Sequence, residues 1–190
     1  MADALGTGSD TVRVAPDGET TMSRLFLLRH AKAAWAEPGG RDYDRALTED
    51  GRDQAVAIGA AMRAGGHVPS VVVCSPARRA LETWQGVATA LGYKPGQALM
   101  SGSLYGSDPG AYLTIMRNNG DADALLIIGH NPMIEELAFA FARHGDEEAR
   151  QRLARGFPTA GLAVFSFAKP LFEASAADAR LDAFLTPERA

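Results

Sequence analysis

The chain has a single cysteine in 190 residues, so it can form no internal disulfide, and Cys74 fits a reducing cytoplasm. It has no excess of basic charge. Lys and Arg number 19 against 23 Asp and Glu, a formal net charge of -4, which argues against a dedicated nucleic-acid partner. No apolar run approaches the roughly 20 residues needed to span a bilayer. No basic stretch followed by an apolar one opens the chain, so no signal peptide is read and no membrane is expected. Internal repeats and low-complexity blocks are also missing. Hydrophobic residues make up 46% of the chain, enough at this length for one core and short for two. The expectation is a soluble, cytoplasmic protein. Nothing in the sequence sets its oligomeric state.

Residues 1–22 are rich in Gly, Thr, Asp and Ala without apolar periodicity. They read as a disordered leader, with 23–190 as one domain. From Arg24 on, short aliphatic runs alternate with helical patterns. Residues 24–29, Val71–Cys74 and Leu125–Ile128 read as buried strands of a parallel sheet. Thr48 is the N-cap of a helix to about Ala64. Pro76 stands as a first helical residue, with Gly92 as that helix's stop. Further helices are expected from Asp108-Pro109 to about Arg117, from Pro132 to about Arg143, and over Asp146–Arg155. Tyr93–Gly106 reads as a short edge strand plus loop, Gly161–Phe167 as a strand, and Leu181–Leu185 as a last edge strand. This alternation predicts right-handed crossovers and an α/β fold: a three-layer α/β/α sandwich with a mostly parallel central sheet.

Three of these strands end in groups that seek phosphate or react with it: Arg29-His30, Ser75-Pro76-Ala77-Arg78-Arg79, and Gly129-His130-Asn131-Pro132. In open parallel sheets, ligands bind outside the carboxyl ends of the strands. Two of the segments run into a helix that is expected to begin with proline. Helix N-termini present free N–H groups and partial positive charge, and arginines add bidentate bonds to phosphate oxygens. Two histidines with arginines at one sheet edge therefore point to a small-anion site and to phosphoryl transfer through a phosphorylated histidine.

The segment Leu28-Arg29-His30-Ala31-Lys32-Ala33 resembles the Arg-His signature of the histidine phosphatase superfamily, most closely its SixA-like phosphohistidine phosphatase branch. Asp44–Arg52 is similar to that branch's Asp-x-Arg-Pro-Leu-Thr-x-x-Gly element, with Ala46 where proline is usual. Ser75–Thr83 is similar to its Ser-Pro-x-x-Arg-Ala-x-x-Thr element, and Gly129-His130-Asn131-Pro132 to its second-histidine element. Phe157-Pro158-Thr159 precedes the late strand as in the family. The resemblance implies a phosphoglycerate mutase-like fold with no cofactor and no metal. It makes His30 the nucleophile, Arg29 and Arg79 the phosphate clamp, and His130 a further donor to phosphate. Arg78 is left as a surface residue. Arg45, inside a family element, is a candidate substrate contact, and solvated loop charge is the reading for Arg41.

The implied substrate is a phosphorylated protein carrying phosphohistidine. A small phosphorylated molecule handled by a general phosphomonoesterase of the same mechanism is the alternative, as is a degenerate phosphoprotein-binding module. Leu104-Tyr105-Gly106 offers no carboxylate where mutases of the family carry their acid. Asp108, the nearest acid, reads as an N-cap. A metal site built from His30, His130 and Asp44 is set aside because adjacent guanidinium groups repel a cation. Cys74 lacks the cysteine, five residues, arginine spacing of cysteine phosphatases and reads as core, as does Trp84. His67 and His144 read as loop residues.

Overall fold

The structure is a computed structural model that describes residues 22–106 and 108–187. Residues 1–21, almost all of the leader expected from the sequence, lie outside the described residues. One sheet contains β1 (Ser23–Arg29), β2 (Val71–Cys74), β3 (Leu99–Met100), β4 (Ala124–Gly129), β5 (His144–Gly145), β6 (Leu162–Phe167) and β7 (Arg180–Leu185). Their order across the sheet is β3-β2-β4-β1-β6-β7-β5. Strands β3, β2, β4 and β1 are mutually parallel, and β6 runs antiparallel between β1 and β7. The mostly parallel sheet read from the sequence is the one observed.

The central strands are largely apolar because both of their faces are covered. Side chains alternate between the faces with the period of two that a strand imposes. Leu25, Leu27, Leu125, Ile127 and Phe165 pack with Tyr112, Ile134, Leu137 and Phe141, which come from α3 (Pro109–Asn118) and α4 (Met133–Phe141). Phe26, Leu28, Leu126, Ile128 and Val164 pack on the other side with Ile58, Met62, Trp84 and Val87, from α1 (Glu49–Ala64) and α2 (Arg78–Leu91). A short α5 (Glu147–Leu153) packs against β7. Helix, sheet and helix are thus the three layers, each helix burying one apolar stripe.

The caps fall where the sequence places them. Thr48 Oγ1 accepts the Gly51 N–H at 3.0 Å and Asp108 Oδ1 accepts the Ala111 N–H at 3.2 Å. Gly92 ends α2 in the left-handed conformation, φ 80°, which a residue without Cβ adopts freely.

Three expectations need correction. First, α2 begins at Arg78 and not at Pro76, with Ala77 still extended at ψ 137°. The Ser75 hydroxyl takes the Ala77 N–H at 3.3 Å and so turns the chain before the helix starts. Second, α4 spans Met133–Phe141, with Pro132 at its N-cap. It stops short of Arg143 because His144 and Gly145 pair with Arg180 and Leu181 as β5. Third, and by the same pairing, β7 is not the edge strand; β5 lies outside it.

Candidate active site

Register alone brings the two histidines together. Arg29 pairs with Gly129 across β1 and β4, and Cys74 pairs with Ile128 across β2 and β4. His30 and His130, the residues after β1 and β4, therefore emerge on one level, and Ser75, after β2, stands one residue below them beside Gly129. The His30 N–H donates to the Gly129 carbonyl at 3.0 Å. The two imidazole rings lie 5.1 Å apart between centroids, and both residues are buried.

The proton on His30 is placed by its neighbours. Arg79 Nε–H donates to His30 Nε2 at 3.2 Å, and a guanidinium can only donate, so Nε2 carries the lone pair. The ring proton then sits on Nδ1, which lies 2.8 Å from the Ala31 carbonyl and donates to it. Burial pushes the His30 pKa from 6.5 down to about 4, and the nearby Arg79, Arg29 and Arg45 charges add to the effect. The ring is therefore neutral at physiological pH, with its basic nitrogen facing a cation.

The Ser75-to-Thr83 element acquires a physical reading. Residues 79 and 83 share one face of α2, being four apart. The Ser75 hydroxyl is 2.8 Å from His130 Nε2. Thr83 Oγ1 accepts the Ala31 N–H at 2.9 Å and donates to the Arg79 carbonyl at 2.7 Å, tying the residue after the first histidine to the helix that carries Arg79. The other helix of this layer is tied in as well. Gly51 passes so close to the Lys32 carbonyl that a Cβ there would collide with it.

His130 is held from behind by Tyr112, whose hydroxyl accepts the His130 N–H at 3.1 Å and donates to the Leu104 carbonyl at 3.0 Å. This hydroxyl fills the space a side chain at position 129 would need, which is why glycine precedes the histidine. Burial, with the Arg79 charge and the His30 ring once that is protonated, lowers the His130 pKa to about 3. Arg29 is anchored through Nη1 to the Phe157 carbonyl at 2.6 Å. Glu135 fixes that segment by accepting the Phe157 N–H at 2.8 Å and an N–H of Asn131 at 3.2 Å.

Four buried side-chain nitrogen or oxygen atoms among the described residues have no partner in the protein, and three belong to this cluster: Arg29 Nε, His130 Nδ1 and Asn131 Oδ1. Buried polar atoms are seldom left unpaired, and Arg29 Nε is a donor that an oxyanion would satisfy. Among the described residues no group of three or more His, Cys, Asp or Glu side chains could hold a metal ion. Asp44 pairs with Arg41 at 2.7 Å. Arg29 and Arg79 place two guanidinium groups beside the histidines, which suits a phosphoryl group.

The rim is built by loops. A short 3-10 turn over Asp42–Asp44 lays Asp42 across Arg79: Arg79 Nη1 donates to the Asp42 carbonyl at 2.8 Å and Nη2 lies 3.0 Å from Asp42 Oδ2. Tyr105 Oη–H donates to the same oxygen at 2.9 Å. Its ring stands edge-on to His130 at 5.6 Å and to Tyr43 at 5.1 Å. Arg45 reaches this rim and not the inner pocket; it donates to Asp42 Oδ1 at 2.8 Å and to the Ala34 carbonyl at 2.6 Å. The Arg45 bond, with help from Tyr105 and Arg79, holds the Asp42 pKa at about 2 against partial burial. Sequence reasoning singles out the arginines of this loop and passes over Asp42 and Tyr105. The available signal was the alternating charge of Arg41-Asp42-Tyr43-Asp44-Arg45, which pairs residues three apart.

Of the remaining candidates, all but His144 fall as read. Arg78 is exposed and pairs with Glu82 at 2.7 Å. Cys74 is buried, its thiol pushed up to about 12 by burial, and Trp84 is core. Asp108 is occupied as a cap. His144 lies in β5 instead of a loop. No helix among the described residues is long and apolar enough to cross a membrane.

Comparison with known proteins gives the family and the fold. Residues 25–98 match the family described as the histidine phosphatase superfamily, branch 1. An uncharacterized protein of Mycobacterium tuberculosis is 33% identical over 144 residues, 74% of this chain and 87% of that one. A solved structure from Agrobacterium tumefaciens, put forward as the phosphohistidine phosphatase SixA, superposes with a TM-score of 0.73 at 32% identity. That match covers 87% of this chain and 99% of the other. The protein histidine phosphatase SixA complexed with tungstate superposes with a TM-score of 0.68 at 20% identity, covering 86% of this chain and 97% of that one, a likeness of fold.

Proposed function

Because this chain belongs to the histidine phosphatase superfamily, we propose that it is a phosphatase that works through a phosphorylated His30 and that its substrate is phosphohistidine in proteins. The observation that carries this reading is the lone pair on His30 Nε2, held neutral and unprotonated beside the Arg79 guanidinium. In the first step Nε2 attacks phosphorus while the substrate's P–N bond breaks and its electron pair returns to the leaving nitrogen. In the second step water attacks phosphorus, the bonding pair returns to Nε2, and inorganic phosphate and a proton are released. Arg29, Arg79 and His130 face the charge that spreads over the transferring oxygens, which is where most of the catalysis of phosphoryl transfer resides.

Substrate class follows from the acids present. Expelling an alkoxide benefits from a positioned proton donor, typically by 10²–10⁴-fold, roughly. Asp42 is ionised, with a pKa of about 2, and Asp108 caps a helix. Neither is a ready donor at neutral pH. An imidazole protonated on its remote nitrogen leaves as a neutral molecule and needs none, so phosphohistidine fits this site better than alkyl phosphates.

Rapid quenching with radiolabelled substrate tests the mechanism. Acid-labile, base-stable label on His30 is expected. Turnover retained by a folded His30→Ala protein sinks it. A panel of phosphohistidine peptide, phosphoserine peptide and 3-phosphoglycerate tests the substrate; equal or better kcat/KM on 3-phosphoglycerate establishes a general phosphomonoesterase instead.

A further inference from the structure

Asp42 is held in place without being used up. Its Oδ2 receives Arg79 Nη2 and the Tyr105 hydroxyl, while among the described residues Oδ1 receives Arg45 Nη1 alone. A carboxylate has about four lone-pair sites, so Oδ1 can accept another donor, and the side chain is 52% exposed. Beside it stand two aromatic rings, Tyr43 and Tyr105, in edge-to-face contact at 5.1 Å. Tyr105 also touches His130 and receives the Arg79 guanidinium over its ring at 5.6 Å. An anion flanked by aromatic rings, one guanidinium away from the nucleophilic nitrogen, is a receptor for a planar ring that carries an N–H.

We propose that Asp42 is a specificity-determining residue of this site: its carboxylate accepts the N–H on the ring nitrogen of phosphohistidine remote from phosphorus, while Tyr43 and Tyr105 flank the imidazole. The proposal rests on the phosphohistidine reading above and adds a reason for it. With that remote nitrogen protonated, the substrate ring carries positive charge. When the P–N bond breaks, its electron pair passes to the near nitrogen, the phosphoryl group passes to His30 Nε2, and neutral imidazole departs still holding its remote N–H. A fixed anion at that N–H favours the protonated ring, because an opposite charge stabilises the charged form. Asp42 thereby activates the leaving group without donating a proton, as suits a carboxylate that stays ionised. The same anion repels a substrate with a second negative group, such as 3-phosphoglycerate.

The test compares two substrates in wild type and Asp42→Asn. One is a histidine-phosphorylated peptide. The other is p-nitrophenyl phosphate, whose phenolate needs no proton and has no N–H. Asparagine keeps the size and an acceptor oxygen for Arg79 or Arg45, and position 42 is exposed, so folding, checked by melting temperature, should survive. The ratio of kcat/KM values, peptide over aryl phosphate, should fall about tenfold or more, the size expected for losing a charge-assisted bond. A ratio preserved within about twofold overturns the proposal, whether both rates fall together because Asp42 only orients Arg79, or neither falls. Failure of the underlying reading is visible separately: wild type would then show no preference for the phosphohistidine peptide over phosphoserine peptide.

Discussion

The inner ring of the site and its rim are built by different means. His30, Arg79 and His130 are 9%, 6% and 8% exposed; the sheet's hydrogen-bond register sets where the two histidines lie, and the first turn of α2 carries Arg79. Asp42, Tyr43 and Tyr105 come from loops and are held by side-chain contacts; Asp42 and Arg45 keep 52% and 22% side-chain exposure. Backbone ladders are cooperative and lie in the core, whereas exposed ion pairs contribute about 0–1 kcal/mol each. On the proposed mechanism, rate belongs to the ring and selectivity to the rim.

The sharpest way to break that contrast is at the ring. His30→Ala should lower kcat by about 10⁴-fold or more with the melting temperature retained, as loss of a nucleophile does, measured with the phosphohistidine peptide. Arg79→Ala should cost about 10²–10³-fold on every substrate, the size of losing a donor to developing charge. An aryl phosphate rate left intact there would erase the distinction between ring and rim. Arg45→Ala, by contrast, should change kcat/KM by less than about tenfold, because its bonds go to Asp42 and a backbone carbonyl in partly exposed surroundings.

The two regions should also separate by pH. His30 and His130 have folded-state pKa values of about 4 and about 3, against 6.5 ordinarily. Between 6.5 and about 4 the unfolded chain binds protons that the folded one refuses, so stability is full above 6.5 and falls as pH drops through that window. Asp42, lowered to about 2 from 3.8, loses its contribution only below that ordinary value. Melting temperatures from pH 7 to 4 should therefore decline less steeply in His130→Asn than in wild type, and Asp42→Asn should leave the slope alone. A slope that follows Asp42 would reverse the assignment. The smallest expected effect belongs to Tyr105→Phe, which removes one of three donors to Asp42 and should cost about 1 kcal/mol or less in transition-state stabilisation. It would be read as a drop of about fivefold or less in kcat/KM on the phosphohistidine peptide alone.

Strands, caps and the level of the two histidines were legible because they follow from local chemistry: aliphatic runs, Thr48, Asp108 and Gly92, and the rule that parallel strands end together. The helix starts at Pro76 and Pro132 misled because proline's fixed φ suits a first turn equally well when a side chain delays it, as Ser75 does. The two-residue β5 left no periodic signal, since so short a strand exists only through its partner β7.

By itself the sequence determined the alternation of strands and helices, the burial of both sheet faces, and Arg29, His30 and His130 as neighbours at one edge, while the resemblance to the family selected Arg79 over Arg78. The first three depend on side chains a few residues apart or on the register that parallel pairing imposes. Only the tertiary structure decided which nitrogen of His30 carries the lone pair, because that depends on Arg79, 49 residues away. It alone also closed Asp42, Arg45, Arg79 and Tyr105 into one network, since Asp42 and Tyr105 are 63 residues apart and contacts across such a separation leave no trace in local periodicity.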